Sequence, residues 1–176
     1  AGLIKIRGDE CWRDLTCLIH HYETQPNPHP LSWVLHQMPE WFHVSGVLFN
    51  HWVELVVPWF IFAPRRFRHI AGLFLVAFQA GLILSGNLSF LNWLTLAVCV
   101  AAFDDGWLRR PLPRRWRHLG PDTPGELSIS AQRTALALAV IVSLLSIGPV
   151  MNMMSSDQAM NTSYDRLHLV NTYGAF

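Results

Sequence analysis

Three long apolar runs between Val47 and Phe103 set the tightest limit on what this chain can fold into. They read VLFNHWVELVVPWFIFA, IAGLFLVAFQAGLIL and SGNLSFLNWLTLAVCVAAF. An Arg cluster, RRFRH, parts the first two, and no connection is long enough for a soluble domain to grow between them. Each run has roughly 15 to 20 residues, and a helix needs about 20 to cross a hydrocarbon slab of about 30 Å. A buried soluble helix is usually shorter and keeps one polar stripe. The pattern therefore predicts an all-α, polytopic helical membrane protein.

Composition agrees where it bears on this point. Charged residues make up 14% of the 176 residues, against about 25% in ordinary soluble domains. They are concentrated between the apolar runs. Eight Trp, many Arg and a single Lys (Lys5) suit membrane interfaces, where amphipathic rings and long cationic side chains sit at headgroup depth. A net charge of +1 argues against a nucleic-acid footprint.

The first span is expected over 44–63, containing Asn50, His51, Glu54 and Pro58, the second over 67–84 and the third over 88–103. A fourth is expected over 134–151, its exit marked by Gly148 and Pro149. Ala77, Gly81 and Ser85 recur every fourth residue and predict a face that a neighbouring helix can approach closely, with Gly72 slightly off that line. Before the spans, residues 9–20 have the spacing of a short amphipathic helix. Pro26, Pro28 and Pro30 predict an irregular 24–31, and 33–42 reads as an interfacial segment broken by Pro39.

The expected organisation is an N-terminal block (1–43), a three-helix membrane block (44–105), an Arg/Pro-rich loop (106–133), a fourth span (134–151) and the start of a further domain (152–176), with a weak strand signal in LHLVNTYGAF. Arg65, Arg66 and Arg68 lie in one connection, and Arg109, Arg110, Arg114, Arg115, Arg117 and Arg133 in the other. Two spans separate these connections, so both fall on the cytoplasmic side. The N-terminal block, the turn after Ser85 and residues 152–176 then fall on the exported side. Lys5, Arg7 and Arg13 count slightly against that assignment.

Asn50, His51 and Glu54 can share one helix face, and Pro58 leaves the Glu54 carbonyl without an N–H donor. A carboxylate inside a span must be paired, protonated or near water. Two readings stay open: an ion, proton or substrate site with Gln79, Asn87 or Asn92 as neighbours, or a structural interhelical hydrogen-bond cluster. His20, His21, Glu23 and His29 contain metal-ligand types, but their spacing matches no metal signature, and an interfacial loop explains them better. Asp104 and Asp105 close the third span, an unfavourable place for carboxylates, and the Arg-rich segment that follows is expected to neutralise them. Asn87 and Asn161 each begin a glycosylation acceptor triplet. The first is too near the membrane, and the second is usable only in a eukaryotic chain that visits the endoplasmic reticulum. Cys11 and Cys17 could pair in an oxidising compartment or remain thiols, and Cys99 reads as a packing residue. No nucleophile elbow, P-loop, dinucleotide fingerprint or CxxC is present, and no cofactor or metal is indicated.

Five blocks carry a family likeness: HHYETQPNPHPLSW (20–33), FNHWVELVVPW (49–59), LSGNLSFLNWLT (84–95), AFDD (102–105) and RLHLVNTYGAF (166–176). Together they closely resemble the lipase maturation factor family. The resemblance implies a multi-pass membrane protein that, in animals, resides in the endoplasmic reticulum and helps secreted lipases reach their active form. For a bacterial member it implies the inner membrane. Its partners would be membrane lipid and a client lipase or other exported protein, met by a loop containing His20, His21, Tyr22, Glu23, Gln25 and Trp33. The family is also distantly similar to the membrane region of vitamin K-dependent carboxylase. That likeness implies an alternative, a membrane enzyme with His51, Glu54 and Asn50 as candidate catalytic residues.

Overall fold

The computed structural model describes residues 2–25, 27–86, 90–116 and 128–172. Among them the elements are helical, and three helices are long and apolar enough to cross a membrane: Glu40–Phe62, Arg65–Ser85 and Ile129–Met154. The apolar segment Phe90–Ala102 is shorter. The chain divides into two compact units, Ala1–Arg117 and His118–Phe176.

The first unit opens with α1 (Gly2–Gly8), α2 (Glu10–Arg13) and α3 (Cys17–Thr24). The single amphipathic helix expected over 9–20 is split, because Leu15 takes a left-handed conformation with φ of 62°. A Cys11–Cys17 disulfide bridges the break. The stretch expected to be irregular up to residue 31 is partly ordered. Helix α4 (Pro30–His36) begins on Pro30, where proline's fixed φ suits a first helical turn, and His29 caps it by accepting from Leu31 N–H. Pro39 likewise precedes α5 (Glu40–Leu55), so the interfacial segment expected over 33–42 is divided between α4 and the first turn of α5.

Helix α5 ends where Pro58 cannot donate to the Glu54 carbonyl, and the chain tightens into 3₁₀ geometry over Val57–Phe62. Pro64 then starts α6 (Arg65–Ser85). A hairpin returns through α7 (Phe90–Cys99) and a 3₁₀ turn, Val100–Ala102, before the short α8 (Asp105–Leu108). Val53, Val57, Ala71 and Phe78 form the core between α5 and α6. Trp52 stands edge-on to Phe74 at 4.4 Å, and Phe49 contacts both Phe74 and Phe78. Outside this core the large apolar side chains point outward, with Trp59 74% and Phe62 88% exposed. Water would penalise such a surface, and lipid does not.

The close approach expected along Ala77, Gly81 and Ser85 occurs elsewhere. A Cβ on Gly81 would meet nothing within 4 Å, whereas one on Gly72 would lie 2.8 Å from Phe103 Cζ and 2.9 Å from Ala102 Cβ. The end of the returning arm of the hairpin, at Ala102 and Phe103, therefore packs against the first half of α6, and the four-residue spacing alone does not reveal which small residue faces it.

The second unit contains α9 (Ile129–Leu145) and α10 (Ile147–Met154). Ser128 caps α9, which starts five residues earlier than expected. Gly148–Pro149 does not mark the exit. Pro149 breaks the ladder at Leu145, then sits inside the first turn of α10, where its missing N–H costs nothing. In α9 the stretch from Thr134 to Leu145 is apolar nearly all round, as a helix that faces lipid requires. Beyond α10 the described part of the expected strand, up to residue 172, shows one antiparallel bridge, Ser163 with Asn171, and 173–176 lie outside the described residues. Asp165 holds this tail by accepting from the backbone N–H groups of Leu167, Leu169 and Val170 at 2.9, 3.1 and 2.8 Å.

Candidate functional site

The polar face of α5 is completed by a residue from the other end of the unit. Gly2 allows α1 to lie against α5, since any Cβ there would strike Leu55 and Glu54. This contact brings Lys5 Nζ to 2.9 Å from Asn50 Oδ1 and 2.8 Å from Glu54 Oε1. The ion pair is largely removed from solvent, its side chains 13% and 14% exposed. Lys5 also lies over the Trp12 ring at 4.6 Å. His51 turns to a different partner: its Nε2 is 2.9 Å from the Trp12 carbonyl oxygen, and its ring packs edgewise on the indole.

The three residues grouped on α5 by spacing thus form one cluster with α1 and α2. The span carboxylate is matched by a cation, as a low-dielectric setting requires. Asn50 Nδ2, Glu54 Oε2 and His51 Nδ1 are buried with no hydrogen-bond partner among the described residues. Lys5 shares no helical spacing with Glu54, so only its being the chain's single lysine and the need of the span carboxylate for a cation pointed to it. Two of the expected neighbours of this face bond to each other instead. Asn92 Nδ2 donates to Gln79 Oε1 at 3.0 Å, pinning α7 to α6, and Asn87 lies outside the described residues.

A second assembly gathers the loop residues at the C-terminal end of α6. Ser32 Oγ donates to the Ser85 carbonyl at 2.8 Å, and Gln25 Nε2 reaches the same oxygen at 3.4 Å. Gly86 adjoins Gln25 Oε1 so closely that a Cβ would sit 2.8 Å from it. Burial raises the pKa of the Tyr22 hydroxyl, offset in part by its hydrogen bond with Ser85. Burial, and then the charge on Lys5, lower the pKa of His21. Glu23 Oε1 lies 3.2 Å from His36 Nε2. Tyr22, Glu23, Gln25, His29, Trp33 and His36 are among the residues lining an open cleft of roughly 580 Å³. His20 is exposed and caps nothing with its ring; its carbonyl accepts from the Thr24 hydroxyl. Among the described residues, no three His, Cys, Asp or Glu side chains converge to hold a metal ion.

The two aspartates after the third span need a different account from the one their position suggested. Asp104 does not terminate a helix with the wrong charge. It caps the start of α8, accepting from Trp107 N–H at 2.8 Å, and Asp105 occupies the first turn, both favourable positions for a carboxylate. A cationic partner of Asp104 comes from the earlier connection: Arg65 grips both carboxylate oxygens. His69 Nε2 lies 2.9 Å from Oδ2 without hydrogen-bond alignment. The Arg65 hydrogen bond is the main cause that holds the Asp104 carboxyl down to about 2. Asn161 is exposed with φ of 54° and lies seven residues beyond the end of α10.

Residues 1–110 match the family model for the lipase maturation factor transmembrane domain. The chain is 46% identical over its whole length to human lipase maturation factor 1 and 48% identical to the Bos taurus protein of that name. It is 35% identical to lipase maturation factor 2 of Xenopus laevis over 84% of its length. The chain spans about a third of the lipase maturation factor 1 proteins and 20% of the Xenopus protein. No solved structure matches it.

Proposed function

Since the chain belongs to the lipase maturation factor family, we propose that it forms part of a membrane-embedded factor assisting the folding of secreted lipases or similar exported proteins. The observation that carries this reading is the identity of 46% and 48% sustained along the whole chain. The helices hold the loop 20–43, with His20, His21, Tyr22, Glu23, Gln25 and Trp33, on the exported side, where a client chain meets it. The work there is transient shielding of client surface, without bond chemistry. The compartment is the endoplasmic reticulum lumen in a eukaryote and the periplasm in a bacterium.

Three features support this sidedness. Arg65 stands at one end of α6, while Ser32 and Gln25 bind Ser85 at the other. Twenty-one residues at 1.5 Å each separate these ends by about 30 Å, the depth of a hydrocarbon core. The Cys11–Cys17 bridge belongs in an oxidising compartment. Two of the three cations that argued against export are paired within the first unit, Lys5 with Glu54 and Arg13 with Glu10.

The test is co-expression of the full-length protein with a secreted lipase, reading secreted activity per unit of lipase mass and the proteins retained on purification in mild detergent. The reading expects a retained lipase and a higher specific activity. Unchanged specific activity with no retained client would sink it.

A further inference from the structure

We infer that the cleft between α3 and α4 is a binding site for the phosphoammonium headgroup of a zwitterionic phospholipid. Its place follows from the helices. The cleft is anchored on Ser85 at the end of α6, and α5 begins nearby at Glu40, so it opens where two spans leave the hydrocarbon. The adjoining surface suits that depth: Trp33 is 72% exposed and Trp41 70%, with Leu31, Val34 and Met38 exposed beside them. The volume, roughly 580 Å³, suits a headgroup with its glycerol.

The lining offers both halves of the recognition. Glu23 engages His36 through Oε1 yet its side chain remains 55% exposed, placing a carboxylate within reach of an ammonium group. The Tyr22 and Trp33 rings line the same cleft, and aromatic rings there would attract that cation. For the phosphate, His29 provides the donor. Its Nδ1 accepts from Leu31 N–H, so the ring proton resides on Nε2, the other edge of the imidazole. An anionic lipid satisfies the imidazole but meets Glu23 with no cation, and this difference sets the specificity. The walls are held in place by the Ser32 and Gln25 bonds to Ser85, so little ordering is required on binding.

The proposal does not rest on lipase maturation, and its test involves no lipase. The detergent-solubilised chain is titrated with phosphatidylethanolamine, phosphatidylcholine and phosphatidylglycerol of identical acyl chains, and bound lipid is counted by native mass spectrometry. Both zwitterionic lipids are expected to bind roughly tenfold tighter than phosphatidylglycerol, the scale of one charge-assisted contact. Glu23→Gln is expected to abolish the preference. Trp33→Leu, at a site exposed enough to spare the fold, is expected to weaken zwitterionic binding, and Trp41→Leu to leave it unchanged. Equal binding of all three lipids by the wild type, or a preference surviving both cleft substitutions, would overturn the proposal. So would a photocrosslinker at residue 33 that captures peptide and no lipid in membranes.

Discussion

Replacing Lys5 by Met tests the central claim about the first unit, that a terminal helix supplies the counter-charge for the carboxylate of α5. With charges 2.8 Å apart and an effective dielectric near 20, the attraction is roughly 6 kcal/mol. Desolvation of both groups cancels a large share of that, so the intact pair contributes far less than the figure suggests. Removing one partner is different. Glu54, 14% exposed, would remain buried without its cation, and truncating one member of such a pair costs about 3–5 kcal/mol. Glu54→Leu strands Lys5 in the same way and carries a similar cost. The double variant Lys5→Met/Glu54→Leu removes both charges and keeps apolar volume, so its loss is expected to be smaller than that of either single variant. The assay is reversible unfolding of the chain in mixed micelles, run as a double-mutant cycle. A coupling of at least about 2 kcal/mol is expected, whereas independent sites add within about 0.5 kcal/mol. Additive losses would refute the pairing, and with it the docking of α1 on α5.

Three other outcomes are expected. Gly72→Ala should lower stability by about 1–3 kcal/mol through its clash with Phe103 and Ala102, while Gly81→Ala, meeting nothing, should be neutral or raise helix stability by up to about 1 kcal/mol. The same micelle unfolding distinguishes them, and equal losses would contradict the packing of the hairpin. The depressed carboxyl of Asp104 contributes stability in full above its unfolded value of 3.8, and loses it as pH falls through about 2. Protection of the Trp107 amide, measured against its intrinsic exchange rate at each pH, should therefore hold down to about pH 4 and fall below it, and Asp104→Asn should lower it at neutral pH. His21, held below its ordinary 6.5 by burial and by Lys5, favours the neutral ring; its contribution is present above 6.5 and lost as pH falls through the lowered value. Imidazole resonances should show His21 titrating below 6.5 in the wild type and moving upward in Lys5→Met, and an unmoved resonance would separate the two residues.

Much of this protein follows from local composition. Long apolar runs must be helices in lipid, because every backbone polar group has to be satisfied within its own segment, and that requirement depends on no partner. The positions of Pro39, Pro58, Pro64 and Pro149 are likewise local, since each lacks an N–H, although whether a proline ends a helix or begins one depends on which side the helix lies. Only the tertiary structure decided the partners. Lys5 meets Glu54 across 49 residues and Arg65 meets Asp104 across 39, while Gly72 rather than Gly81 takes the close approach. Charge pairing and steric contact act through space over a few ångströms, so residue types announce the need for a partner, and the packing of α1, α5, α6 and the returning hairpin selects it.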